Sequence, residues 1–155
     1  MYPILDYVGY YGPIILFVLT FYGLINRGPY LMVFTSGSIV NMFLNMFLKN
    51  IFREPRPKGQ LEFIDEYSGV HNYGFPSGHA QASFFALAFL FFAQGPDAII
   101  YFMTFLCALT LYQRWKYRRH SVIQLIAGAI TGIAFAWGLV YLTQYYLYRH
   151  LNFQI

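Results

Sequence analysis

Charge is what this sequence has least of. Only 10% of its 155 residues are Asp, Glu, Lys or Arg, against roughly 25% in a soluble domain, which argues against a water-facing globule. Cys107 is the single cysteine, so a disulfide scaffold is excluded. Ten Lys and Arg, scattered among apolar runs, are too few and too dispersed for a nucleic-acid interface. Internal repeats and low-complexity segments are missing as well. What is present is apolar: 58% hydrophobic and 22% aromatic residues. That content excludes disorder and leaves a small multi-pass integral membrane protein, an all-α polytopic helical bundle in one domain, 1–155.

A helix needs roughly 20 apolar residues to cross the hydrocarbon layer, and five runs approach that length. They extend from about Tyr7 to Ile25, Tyr30 to Phe52, Pro76 to Gln94, Asp97 to Trp115 and His120 to Tyr148. Asn26 to Pro29 and Gly95-Pro96 are turn sequences between neighbours. The fifth run carries Ala127, Gly128, Gly132, Ala134 and Gly138, small residues that let helices approach closely in lipid, and is expected to pack centrally. The N-terminus has Asp6 and no basic residue ahead of its apolar run, so it reads as a retained span rather than a cleaved signal peptide. Arg53 to Phe75 is the one sizeable extramembrane loop.

Counting turns places the end of span two, the start of span three, the end of span four and the start of span five on one side. Eight of the ten basic residues lie there, namely Lys49, Arg53, Arg56, Lys58, Arg114, Lys116, Arg118 and Arg119, leaving Arg27 and Arg149 opposite. One explanation is the positive-inside rule. The other is an anion site, which the accompanying histidines favour. Gly74-Phe75-Pro76-Ser77-Gly78-His79 puts Pro at a first helical position, and the Ser77 and Gly78 amides are then expected to face an oxyanion. A buried histidine in a membrane helix is expensive without a partner or a task.

Lys49 and Arg56 are seven residues apart, with Pro55 and Pro57 favouring an extended Arg56, so Lys49 is expected to end its helix and Arg56 to reach back. Gln124 lies one turn beyond His120 and is expected to hold the imidazole tautomer. Arg53 and Lys58 read as juxtamembrane charges, Arg118 and Arg119 as headgroup contacts, and His71 and His150 as non-catalytic.

These residues resemble the type-2 phosphatidic acid phosphatase superfamily. Its pattern is Lys, six residues, Arg-Pro, then Pro-Ser-Gly-His, then Ser-Arg, five residues, His, three residues, Asp. Lys49 with Arg56-Pro57, Pro76-Ser77-Gly78-His79, and Arg114 with His120 fit it. Gln113 stands in place of the Ser and Gln124 in place of the Asp. Gln124, Gln81 and Glu54-Pro55-Arg56-Pro57 are similar to the dolichyl diphosphate phosphatase branch.

The resemblance implies a four-helix catalytic core within about five transmembrane helices. It implies His120 as the phosphoryl-accepting nucleophile, His79 as the acid, and Lys49, Arg56, Arg114, Ser77 and Gly78 as phosphate ligands, with no metal and no cofactor. Gln124 then accepts the Nδ1 hydrogen of His120, and as a neutral group leaves a weaker nucleophile than a carboxylate does. A diphosphate, whose leaving group is a phosphate, suits such a site, and Gln124→Asp is expected to gain on phosphatidate. The implied partners are a lipid phosphate or diphosphate and membrane lipids, and the implied location is the endoplasmic reticulum membrane. Phe75, Phe84, Phe85, Phe91 and Phe92 are candidates for a lipid-tail groove, although lipid-facing surface and helix packing are the commoner roles for any one of them. A phosphatidate or other lipid monoester phosphatase and a non-catalytic membrane scaffold remain alternatives. A soluble haloperoxidase sharing the pocket is disfavoured by the apolar spans.

Overall fold

A computed structural model describes residues 3–64 and 73–151, with side chains up to Arg149. Asp65, Glu66 and His71 lie outside the described residues, as does the His150 side chain. Among the described residues there are six helices and no strand: α1 (Ile4–Tyr10), α2 (Gly12–Gly23), α3 (Gly28–Phe52), α4 (Gly78–Phe92), α5 (Asp97–Lys116) and α6 (Val122–Leu151).

The first apolar run is not one straight helix. Tyr11 interrupts it ahead of Gly12-Pro13, which open α2, and α1 and α2 meet at a 65° bend. A proline lacks the N–H that would continue the α1 hydrogen-bond ladder but is tolerated in a first turn, so the break falls there. Hydropathy alone carries no trace of it.

Two helices, α3 and α6, are long and apolar enough to cross a membrane, and the bent α1–α2 pair passes the same test jointly. With 15 residues α4 is shorter, and α5 has the length but a less apolar sequence. Turn chemistry closes both α4 and α3. Gln94, at φ 55°, and Gly95 close α4 ahead of Pro96. Arg53, at φ 49°, caps α3 through an N–H bond to the Lys49 carbonyl.

The central helix is α4 rather than the fifth run. It packs against α2, α3, α5 and α6, and Ala80, Phe85, Ala86, Phe89 and Leu90 are buried around much of its circumference. A short helix that is apolar on all faces is best satisfied inside a bundle. Helix α6 is long and carries tyrosines and a tryptophan on its exposed face. Two of its glycines are used as expected: a Cβ at Gly128 would run into the Ser77 carbonyl and one at Gly132 into the Gln81 carbonyl. Gly138 has nothing among the described residues within 4 Å of such a Cβ, and Ala134 is exposed.

The core joins Leu16 and Leu24 of α2, Phe34 of α3, Phe85 and Phe89 of α4, Met103 and Leu106 of α5, and Ala136 and Val140 of α6. Phe85 is stacked on Phe34 with ring centroids 5.8 Å apart, so it belongs to this core and not to a groove. At the far end the Arg27 guanidinium donates to the Ala93 carbonyl, fastening the α2–α3 turn to the end of α4.

Candidate active site

Polar side chains gather at the end of the bundle where α3 finishes, α4 begins, and α5 turns into α6. The gathering starts inside α3, where Asn41, Asn45 and Lys49 recur every four residues on one buried face. The Gln81 amide donates to Asn41 Oδ1 at 2.8 Å and accepts from Asn45 Nδ2 at 2.8 Å. Asn45 also donates to the Pro76 carbonyl at 3.2 Å. In a bundle each such amide needs a partner, and this ladder fixes the start of α4 against α3. The i, i+4, i+8 polar spacing in an otherwise apolar run is the sequence signal that reveals it.

Lys49 is 5% exposed and its Nζ donates to the Tyr73 carbonyl at 3.0 Å. It lies in the last turn of α3, which continues to Phe52, so Lys49 does not end the helix. Glu54 to Pro57 then depart from helical structure, with an isolated bridge between Pro55 and Tyr73.

The Pro-Ser-Gly-His segment differs from expectation. Ser77 is the N-cap of α4, with its hydroxyl accepting the Ala80 N–H at 3.4 Å, so Pro76 precedes the helix instead of opening it. The Ser77 N–H is bonded to the Gln124 carbonyl at 3.0 Å and does not face an anion. The amides of Gly78 and His79, in the first turn, have no intrahelical acceptor, which moves the cradle one residue along.

Arg114 is 2% exposed. Its Nε donates to Gln113 Oε1 at 2.7 Å, which gives the residue standing in place of the family serine a definite task. Its guanidinium lies 5.1 Å from the centroid of the Tyr10 ring, and Tyr10 also meets the His79 ring at 5.8 Å. The sequence reading missed Tyr10. Its place depends on Gly9, where a Cβ would stand 2.7 Å from both Gln113 Cβ and the Leu109 carbonyl. Asp6, one turn earlier, is 3% exposed and pairs with Lys116 Nζ at 2.7 Å and the Tyr117 hydroxyl at 2.8 Å. Lys116 therefore fastens α1 to α5, and Phe63, fully buried, fills the space between Tyr7, Tyr10 and Tyr117.

His120 is 4% exposed in the turn before α6. Burial pushes its imidazole down to about 3, the charges of Arg56, Lys49 and Arg114 push the same way, and its hydrogen bond to Gly74 opposes them. The charges of Arg114, Arg56 and Lys49 and the His120 ring also act on His79. The structure thus brings Lys49, Arg56, His79, Arg114 and His120 into one cluster.

The tautomer arrangement is corrected. His120 Nδ1 bonds to the Gly74 carbonyl at 2.9 Å, not to Gln124. The Gln124 amide instead donates to Glu54 Oε1 at 2.7 Å and the Pro55 carbonyl at 2.9 Å, and accepts from the Ser121 N–H at 3.2 Å.

Arg119 is also corrected. It is 7% exposed with its guanidinium on Gln60 at 3.2 Å, facing inward and not toward headgroups. Arg118, at φ 51°, is exposed, as are Arg53 and Lys58.

Such a cluster provides three cations for a phosphoryl group, one neutral imidazole whose Nδ1 donates and whose Nε2 is left as a lone-pair nitrogen, and a second histidine nearby. Charge neutralisation and positioning are what phosphoryl transfer asks of a protein.

No curated protein and no solved structure matches the chain. The sequence model of the PAP2 superfamily matches residues 30–148, leaving α1 and α2 outside it. That match takes in most of the chain and every residue from Lys49 to Gln124, and the chain therefore belongs to the PAP2 superfamily, which suggests lipid phosphatase activity.

Proposed function

We propose that the chain is a membrane lipid phosphatase that removes the terminal phosphate of a polyprenyl, dolichyl-like diphosphate through a phosphohistidine on His120. His120 Nε2 attacks the terminal phosphorus, and the bond to the bridging oxygen breaks. His79 protonates that oxygen as the lipid monophosphate departs. Water then attacks the phosphohistidine, His79 takes the water proton, and phosphate is released. Lys49, Arg56 and Arg114, with the Gly78 amide, hold the equatorial oxygens, where charge must be neutralised throughout. Ser77 shapes the cradle as the helix cap. The site needs no metal or cofactor for these steps.

The observation that carries the reading is the convergence of Lys49, Arg56 and Arg114 on His120. The diphosphate preference is supported by the neutral acceptor behind His120: a carbonyl oxygen stabilises a developing imidazolium less than a carboxylate does, which favours a substrate with a good leaving group. A lipid monoester such as phosphatidate is the alternative substrate. In this reading five segments sit in the membrane, the bent α1–α2 pair counting as one, and the endoplasmic reticulum is the proposed membrane.

The test is phosphate release from a polyprenyl diphosphate and from phosphatidate, in detergent with chelator, by wild type and His120→Ala. Release from the diphosphate that survives chelation and vanishes in the variant supports the proposal. Preference for phosphatidate transfers it to the monoester class, and no release from either lipid by folded protein makes the chain a scaffold.

A further inference from the structure

In the PAP2 pattern the six residues between Lys49 and Arg56 carry no assigned role, and Glu54 is one of them. We infer that Glu54 is a positioning residue for the His120 nucleophile, acting through Gln124 and Gly74; this rests on the reading of His120 given above.

The argument starts from the Gln124 amide, which is 1% exposed. One edge of that amide faces two acceptors, Glu54 Oε1 and the Pro55 carbonyl, and the other faces a donor, the Ser121 N–H. Only one orientation satisfies all three, because a flipped amide would set oxygen against two oxygens. Both Nε2 hydrogens are then spent on the Glu54–Pro55 segment. The Oε1, the one atom that could accept from His120 Nδ1, is turned to the Ser121 N–H.

The same segment also holds Gly74. The Gly74 N–H donates to the Glu54 carbonyl at 2.7 Å, and a Cβ on Gly74 would sit 2.5 Å from Gln124 Oε1. Gly74 is therefore pinned on one side by the Glu54 backbone and on the other by an amide that the Glu54 carboxylate orients. Its own carbonyl receives His120 Nδ1 at 2.9 Å. The Gln124 backbone carbonyl closes the circuit by accepting from the Ser77 N–H. Glu54 thus locks three chain segments whose meeting point decides where the imidazole points. A carboxylate at position 124 would meet the Glu54 carboxylate without a proton between them. Glu54 and Gln124 consequently form a matched pair, and the residue that departs from the family pattern has its explanation in one the pattern ignores.

The experiment is a kinetic comparison of Glu54→Ala, Glu54→Gln, Gln124→Glu and the Glu54→Gln/Gln124→Glu double exchange on the diphosphate lipid, with ¹⁵N spectra of the histidine rings. Misplacing a reacting group by about 1 Å costs on the order of 10²-fold, so Glu54→Ala is expected to lower kcat about 10- to 100-fold with KM within about twofold. Glu54→Gln, still an acceptor for Gln124, restores most of that loss. Gln124→Glu loses activity beside Glu54, and the double exchange, with donor and acceptor reversed, recovers about tenfold or more of it. In the spectra His120 is protonated at Nδ1 in wild type and a tautomer mixture in Glu54→Ala.

Wild-type kcat in Glu54→Ala, a loss carried by KM alone, or an unchanged tautomer overturns the inference. Should Glu54→Ala fail to fold, absence of rescue in the double exchange overturns it. The spectra read the positioning independently of turnover, so a wild type that hydrolyses neither lipid defeats the functional proposal while the tautomer shift still decides the role of Glu54.

Discussion

The carbonyl oxygen of Gly74 stands 2.9 Å from Nδ1 of His120, so the proposed nucleophile is oriented by backbone and not by the side chain one helical turn away. That makes the loop at Tyr73–Gly74, between the α3 end and α4, part of the site's architecture. Lys49 is bonded to the neighbouring carbonyl, that of Tyr73, so one short strand of backbone places both a phosphate-binding cation and the imidazole.

One consequence reverses the sequence expectation for Gln124→Asp. An aspartate there cannot donate to Glu54 or Pro55, and it brings a second carboxylate up to that of Glu54 at a half-buried contact. The variant is expected to lose about 10-fold or more in kcat on phosphatidate and diphosphate alike, since a polar group left unsatisfied at the buried position 124 costs about 1–3 kcal/mol. Phosphate release from both lipids checks it, and a gain on phosphatidate contradicts this account.

The His120 imidazole, depressed to about 3 by burial and three cations, is neutral throughout the physiological range. In the unfolded chain it takes up its proton as pH falls through its ordinary 6.5. Between those values the unfolded state binds more protons, so stability falls as pH is lowered. Thermal unfolding in detergent from pH 7 to 4.5 is expected to drop more steeply for wild type than for His120→Gln. Equal slopes would show that His120 is not held neutral.

Tyr10 reaches the site from α1, outside the region matched by the family. Its ring contacts the Arg114 guanidinium and His79, and a cation over a ring contributes about 0.5–2 kcal/mol. Tyr10→Phe keeps the ring and should retain activity within about threefold, whereas Tyr10→Ala should raise KM about 3- to 30-fold, matching that energy. Steady-state kinetics of the two variants, side by side, checks the contrast.

Gly128 and Gly138 lie on the same helix in different settings. A methyl at Gly128 meets the Ser77 carbonyl, and overpacking of this kind costs about 1–3 kcal/mol. Gly138 is open, and Gly→Ala in a helix gains up to about 1 kcal/mol. Gly128→Ala should lower the unfolding temperature and activity together, while Gly138→Ala leaves both intact or raises the first. Parallel melts in one detergent distinguish them.

Periodicity and composition determined the helical class, the turns at Asn26 to Pro29 and Gly95-Pro96, and the side on which the polar residues meet, because those depend on local hydropathy and on breakers acting within a few residues. Motif spacing likewise singled out Lys49, Arg56, His79, Arg114 and His120, which the fold brings together. Only tertiary structure decided the remainder. The bend at Gly12-Pro13 swings α1 over α5 and delivers Tyr10 to Arg114. The central place of α4 follows from packing on all sides. Arg119 turns inward because Gln60 is there to receive it. Above all, the choice between Gln124 and Gly74 as the acceptor for His120 was closed to sequence, since helical spacing put Gln124 within reach but said nothing about Glu54, seventy residues away, which takes the Gln124 N–H groups and leaves the amide oxygen turned to the Ser121 N–H. A donor bonds the acceptor that the fold turns toward it, and only the folded chain reveals that for His120 Nδ1 this is the Gly74 carbonyl.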